Sequence, residues 1–172
     1  MSIANPFNFK VWIEENRHLL KPPVGNKCIY TEAEDFIVMV VGGPNQRRDF
    51  HYNESEEFFY QLEGDMVLRI IEDGVQKDVS IKEGDIYLLP PKIPHSPQRP
   101  QNTIGLVIEK VRSETDKDGF LWFCENCNNK LYDEYFKMED IVAQLPPIMN
   151  KFYSSKDLRT CKECGTEMST SD

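Results

Sequence analysis

Residues 57–89 read EFFYQLEGDMVLRIIEDGVQKDVSIKEGDIYLL. Runs rich in Val, Ile, Phe and Tyr (EFFYQLEG, MVLRII, VQKDVSI and DIYLLP) alternate here with the turn signals EGD, EDG and KEGD. The pattern extends outward, through KCIYT, FIVMVVGG and the turn GGPN before it and IGLVIEK after it. Many short strands at close spacing predict an all-β sandwich or barrel. A parallel α/β sheet needs crossover helices of roughly ten to fifteen residues between its strands, and residues 27–110 hold none.

The flanks differ. In NFKVWIEENRHLL, residues 8–20, Phe9, Trp12, Ile13, Asn16 and Leu20 recur at helical spacing. Asn8 is placed to cap this helix, and Pro22 and Pro23 to stop it. The helix is expected to pack on the outside of the barrel, with His18 on its surface. Cys28 reads as a small core residue. After residue 112, the charged connection RSETDKDG leads to FLWFCENCNNKLY, an aromatic strand running into a cysteine turn. DEYFKMEDIVAQL and PPIMNKFYSS read as one or two short helices, with Pro147 suited to a first helical position. The expected organisation is a barrel with its N-terminal helix over 1–112 and a cysteine-bearing C-terminal segment over 113–172. Both belong to one compact unit of 172 residues.

Asp and Glu number 29 against 20 Lys and Arg, a net charge of −9. That argues against a nucleic acid held by phosphate contacts, which need clustered cations. No apolar run approaches the ~18 residues of a membrane span. The stretch MSIANPFNFK lacks the apolar core of a secretory signal. A cytoplasmic location is therefore expected, where five cysteines are not disulfides.

Two stretches carry chemistry. HYNESEEFFYQLEG, residues 51–64, supplies His51 and Glu57, and GDIYLLPPKIPHSPQR, residues 84–99, supplies His95 and Arg99. Two imidazoles and a carboxylate on one side of a metal leave its other positions open, as in non-haem Fe(II) oxygenases. Singly, these residues read as surface histidines and part of a solvated run with Glu54 and Glu56. Against that, Glu57 is followed by the apolar FFYQL, and Pro90, Pro91, Pro94 and Pro97 stiffen the segment around His95. Arg99 offers a planar fork that can meet a carboxylate with two parallel hydrogen bonds. Glu109, in IGLVIEK, is either a buried proton acceptor or a strand-end surface carboxylate. Arg47 and Arg48 are adjacent, and spacing leaves open which points inward. Cys124-x-x-Cys127 and Cys161-x-x-Cys164 are 33 residues apart. Four thiolates in two such turns form a tetrahedral site for Zn or Fe, closed to substrate and so structural.

The two stretches resemble the paired motifs of the cupin superfamily. Glu57, six residues and Gly64 match the first motif; Gly84, five residues, Pro90 and then His95 match the second. Asn53 stands where the first motif usually has its second histidine, which leaves three ligands. Lys92 replaces a usual glycine, and Arg99 a common asparagine. With PFNFKVWIEEN, LLKPPVGN, VVGGPN, RRDFH, EEFFYQ, EGDIYLLPPKIPHSPQRP and both cysteine pairs, nearly all of residues 6–165 resembles the short, bacterial-type 3-hydroxyanthranilate 3,4-dioxygenases. The resemblance implies a cupin barrel with a small C-terminal metal-binding helical appendage. It implies catalytic Fe2+ on His51, Glu57 and His95, with Arg47 on the O2 side. Arg99 and Glu109 would bind substrate beside Glu57. Cys124, Cys127, Cys161 and Cys164 would form a rubredoxin-like site holding Fe or Zn. It further implies a homodimer that cleaves 3-hydroxyanthranilate with O2 to 2-amino-3-carboxymuconate semialdehyde, which closes to quinolinate, a precursor of NAD. The alternatives are another cupin chemistry, such as an isomerase or thiol dioxygenase, and a non-enzymatic cupin that only binds a small acid. Arg99 and Glu109 beside a three-ligand metal favour the dioxygenase.

Overall fold

Alternation along the strands sets the layers, because successive side chains of a strand face opposite ways. In a computed structural model describing residues 5–22, 25–139 and 141–170, the strands are β1 (Asn26–Cys28), β2 (Phe36–Gly42), β3 (Phe50–Tyr52), β4 (Glu57–Glu63), β5 (Met66–Glu72), β6 (Val75–Ile81), β7 (Ile86–Leu89), β8 (His95–Gln98), β9 (Ile104–Lys110), β10 (Asp118–Phe123) and β11 (Lys130–Phe136). One sheet has the order β1-β2-β9-β4-β7 and the other β11-β10-β3-β8-β5-β6. Their inner parts, β2-β9-β4-β7 facing β3-β8-β5-β6, are the eight strands of a jelly roll, the architecture that includes the cupins. Phe59, Met66, Leu68, Ile70, Ile81, Leu89 and Val107 form the core. Asp73 and Gly74 both take positive φ, as the two-residue β5–β6 hairpin turn requires.

Helix α1 (Phe9–Asn16) starts where Asn8 accepts a hydrogen bond from the Val11 amide at 3.2 Å. It buries Ile13, and Leu20 beyond it, against Val40 and Ile104. The helix thus covers one end of the first sheet's outer face. At the other end Phe36, Ile86 and Leu88 are exposed. Pro23 lies outside the described residues.

The segment after residue 112 contributes directly to the second sheet. β10 pairs with β3, Phe120 opposite His51, and with β11 on its other side. Two helices follow, α2 (Ile141–Ser154) and α3 (Lys156–Arg159). Ile148 and Phe152 of α2 pack with Phe120, Trp122 and Met168. The expected all-β barrel, N-terminal helix and C-terminal helical appendage are therefore present.

Three local expectations are corrected. DEYF, read as helical, is the second half of β11, where pairing with β10 packs the partly buried Tyr132 and Phe136 against the Trp122 cluster. Pro147 is not a first helical residue: Pro146 and Pro147 both lie inside α2. Each lacks the amide that bonds four residues back, and burial of Ile148 and Phe152 offsets that loss. Cys28 is half-buried on edge strand β1, with its thiol 3.5 Å from the Tyr30 carbonyl, and is not in the core.

Candidate active site

The three metal-type residues come from strands that the barrel brings face to face. His51 on β3 and His95 on β8 are direct cross-strand partners, with ring centroids 5.2 Å apart. Glu57 opens β4 in the opposite sheet, beside Glu109 of β9. One ligand atom from each of His51, Glu57 and His95 lies within 4.8 Å of the others. Metal bonds of about 2.0–2.2 Å hold ligand atoms about 3–4 Å apart, so a small contraction would seat an ion. His95 Nδ1 is 3.0 Å from the Ile93 carbonyl, which leaves Nε2 facing Glu57 Oε2 at 3.0 Å. His51 Nε2 lies 2.8 Å from Asp118 Oδ1, the kind of carboxylate support found behind metal-ligating histidines. Burial disfavours charge on both Glu57 and His95, but their mutual attraction wins. It holds the Glu57 carboxyl below its ordinary value and His95 above its own. Asn53 is buried and its amide donates to Glu57 Oε2 at 3.4 Å, which steadies that carboxylate.

His51, Glu57 and His95 line a cavity of about 130 Å³ that also touches Arg47, Arg99 and Glu109. Phe59, Val107, Pro97 and Met39 supply its apolar walls. An outer vestibule of about 410 Å³ shares Asn26, Met39, Arg47, His51 and Glu109 with it. Strand alternation explains the pairing of motif residues: His95, Pro97 and Arg99 face the cavity, as do Glu57 and Phe59.

Arg99 is 1% exposed, and its Nη1 donates to Gln61 Oε1 at 3.0 Å. Its Nε has no partner, and burial pushes its pKa down to about 10 against the pull of Glu57. Gly105 makes room for it, since a Cβ there would come within 2.6 Å of Nη1. A buried guanidinium with an unsatisfied N–H is costly unless an anion meets it.

Glu109 is buried and paired with Arg112. Burial and the nearby Glu57 raise its pKa, against the pull of Arg112 and His51. Arg47 is held by Asp49 and lies over the Phe120 ring at 5.4 Å. Arg48 points elsewhere, donating to Glu125 at 2.9 Å and to the Ser169 carbonyl at 2.9 Å. Asp49, Gln61, Arg112 and Asp118 escaped the sequence reading. RSETDKDG looks like a solvated loop, and nothing local marks Arg112 and Asp118 as buried.

The four cysteine thiols lie within 4.8 Å of one another, with Cys124–Cys164 and Cys127–Cys161 at 3.5 Å. The two turns repeat one design. The Asn128 and Gly165 amides return to the Cys124 and Cys161 carbonyls at 2.9 and 3.0 Å, and both residues take positive φ. The Cys124 and Cys161 amides bond forward to Asn129 and Thr166. Four sulfurs so gathered suit a tetrahedral ion.

A family model described as 3-hydroxyanthranilic acid dioxygenase matches residues 1–153. A 3-hydroxyanthranilate 3,4-dioxygenase of Xanthomonas oryzae pv. oryzae is 54% identical over 160 residues, 93% of this chain and 90% of that one. One from Jannaschia sp. is 53% identical over 166 residues, covering 96% and 92%. Among solved structures, a cupin-2 domain containing protein from Shewanella frigidimarina superposes with a TM-score of 0.48 at 17% identity, over 58% of this chain and 92% of that one. No helix among the described residues is long and apolar enough to cross a membrane. On identity at this level across nearly the whole length, the chain belongs to the 3-hydroxyanthranilic acid dioxygenase family.

Proposed function

We propose that this chain cleaves the ring of 3-hydroxyanthranilate with O2, using Fe2+ held by His51, Glu57 and His95. The observation that carries the reading is a buried guanidinium, Arg99, with an unsatisfied N–H in the same cavity as those three ligands. The substrate presents a carboxylate, an amine and a hydroxyl on adjacent ring carbons. Arg99 takes the carboxylate, which satisfies its N–H and fixes the ring against Phe59, Val107 and Pro97. That anchoring turns the hydroxyl and amine toward the three ligands and converts a chance encounter into a positioned one. Fe2+ bound there would supply open coordination positions and a redox centre for O2. Glu109, with its raised pKa, accepts the proton released by the substrate hydroxyl. Arg47, held by Asp49 and Phe120, supplies positive charge where oxygen-derived charge develops. The apolar walls keep bulk water from the reacting carbons.

In the overall reaction the bond between the hydroxyl-bearing carbon and its neighbour breaks, and both oxygen atoms of O2 enter the product. That product is 2-amino-3-carboxymuconate semialdehyde, which closes to quinolinate on the route from tryptophan to NAD. The cysteine site, filled by Fe or Zn, is remote from this chemistry and structural. A cytoplasmic homodimer belongs to the same reading, supported by exposed Phe36, Ile86 and Leu88 on the first sheet.

Anaerobic titration of iron-loaded protein with 3-hydroxyanthranilate, followed by labelled O2, tests the assignment. Ring cleavage with two labelled oxygen atoms is expected, and tight binding without turnover would refute it. His95→Ala should keep the fold by circular dichroism and lose both the catalytic iron and turnover. Full turnover in that variant would remove His95 from the site.

A further inference from the structure

The connection from β9 to β10 crosses from one sheet to the other beside the cavity. It is anchored where it leaves β9, the Val111 amide bonding the Asp35 carbonyl at 2.9 Å, and it closes a turn within itself, the Ser113 amide bonding Asp116 Oδ2 at 2.8 Å. Arg112 hangs from it into the vestibule with a side chain only 13% exposed. Its guanidinium uses all three nitrogens. Nη1 donates to Glu109 and to the Lys110 carbonyl at 3.2 Å. Nη2 donates to Asp118 Oδ1 at 2.7 Å, and Nε to both Asp118 oxygens at 3.1 and 3.2 Å. Asp118 is 0% exposed and its Oδ1 also faces His51 Nε2.

We propose that Arg112 is a positioning residue for this site, a single guanidinium that joins Glu109 on one sheet to Asp118 and His51 on the other. The inference rests on the ring-cleavage reading for its kinetic consequence, but the geometry of the clamp stands by itself. Without Arg112, two buried carboxylates lose the cation between them. Glu109 is then free to turn from the substrate hydroxyl, and Asp118 no longer holds the His51 ring at a fixed angle. Arg99, which anchors the substrate carboxylate, forms no hydrogen bond or ion pair with this clamp and donates instead to Gln61. The defect therefore falls mainly on the chemical step and on the metal ligand, with the carboxylate anchor at Arg99 left in place. A lysine cannot replace the clamp, because one ammonium group cannot reproduce a planar fork bonded to two carboxylates at once.

The test uses Arg112→Ala and Arg112→Lys in the full chain. In both, kcat per bound iron should fall roughly 10- to 100-fold, the usual cost of losing support behind a metal ligand. KM for 3-hydroxyanthranilate should stay within about twofold of wild type. Fe2+ titration, which needs no turnover, should show affinity for the His51 site weakened by about tenfold in both variants. Millimolar guanidinium should restore part of the rate to Arg112→Ala, and ammonium at equal ionic strength should not. A wild-type rate and Fe2+ affinity in Arg112→Lys would overturn the proposal, since any cation would then serve. A rise in KM alone would also overturn it. Should Arg112→Ala fail to fold, Arg112→Lys decides by the same two readouts. An inactive wild type would instead sink the assigned reaction, and the Fe2+ affinities would still judge the clamp.

Discussion

At the scale of single residues, the site places charge where charge is expensive. Arg99 is buried with an unsatisfied Nε, and its charge costs the metal-free protein stability. Arg99→Met should therefore leave the thermal midpoint of metal-free protein unchanged or raise it. The same variant should retain iron and raise KM roughly 30-fold or more, the loss of a buried charge pair worth about 2 kcal/mol. An unchanged KM would remove Arg99 from substrate binding. Glu109 behaves in the opposite sense to a salt-bridged surface acid. Its folded pKa is raised above the ordinary 4.5 by burial first and Glu57 next. A carboxyl that holds its proton more tightly when folded favours folding below the ordinary value, and that advantage is lost as pH rises through the raised value. Urea midpoints of the metal-free protein should accordingly fall across that window. Glu109→Gln should flatten the slope while lowering kcat, and an unaltered slope would assign the titration elsewhere.

At the scale of elements, the cysteine turns are the clearest case of local design serving distant structure. Each knuckle repeats the same amide–carbonyl bonds, and one sits at the end of β10, the strand that carries Asp118 and Phe120. Arg159 locks the second knuckle from behind, donating to the Tyr153 and Met168 carbonyls at 3.1 and 2.6 Å. An ion bound by the four thiolates would tie the C-terminal helices to the barrel wall, and its binding energy would become folding energy. Cys127→Ser should lower the thermal midpoint by about 10 °C for a chain of this size. Turnover per catalytic iron should change by less than about twofold. A large loss of rate with an intact midpoint would mean that the thiolate site takes part in the chemistry. The β7–β8 connection shows how a departure from the cupin motif is accommodated. Lys92, where glycine is usual, takes φ of 66° and bonds the Asn53 carbonyl through its amide at 2.9 Å.

At the scale of the molecule, the first sheet has two outer halves. One is sealed by α1 through Ile13 and Leu20. The other leaves Phe36 of β2 and Ile86 and Leu88 of β7 in solvent, on the two strands that flank β9 and β4, which carry Glu109 and Glu57. A homodimer built on this half would buttress those strands from behind. Sedimentation should give a dimer for the native chain, and Leu88→Glu should shift it toward monomer. A monomeric native chain would remove the homodimer from the functional reading.

The amino-acid sequence alone determined the all-β class, the N-terminal helix, the metal-type triad, Arg99 and the cysteine pairs. The class, the helix and the cysteine pairs are written in local periodicity or fixed spacing, which short-range chemistry imposes, whereas the triad and Arg99 are read from residue type and from the resemblance to the paired cupin motifs. It misread DEYF as helix and Pro147 as a helix start, because β10 and the Trp122 cluster override local preference there. Spacing left Arg47 and Arg48 open and the family resemblance chose Arg47; only the tertiary structure shows that Arg47 borders the cavity, that Glu109 is buried, and that Gln61, Asp49, Asp118 and Arg112 stand behind the site. Those facts depend on which strand lies opposite which when two sheets close, and residues so far apart in the chain carry no local mark of meeting.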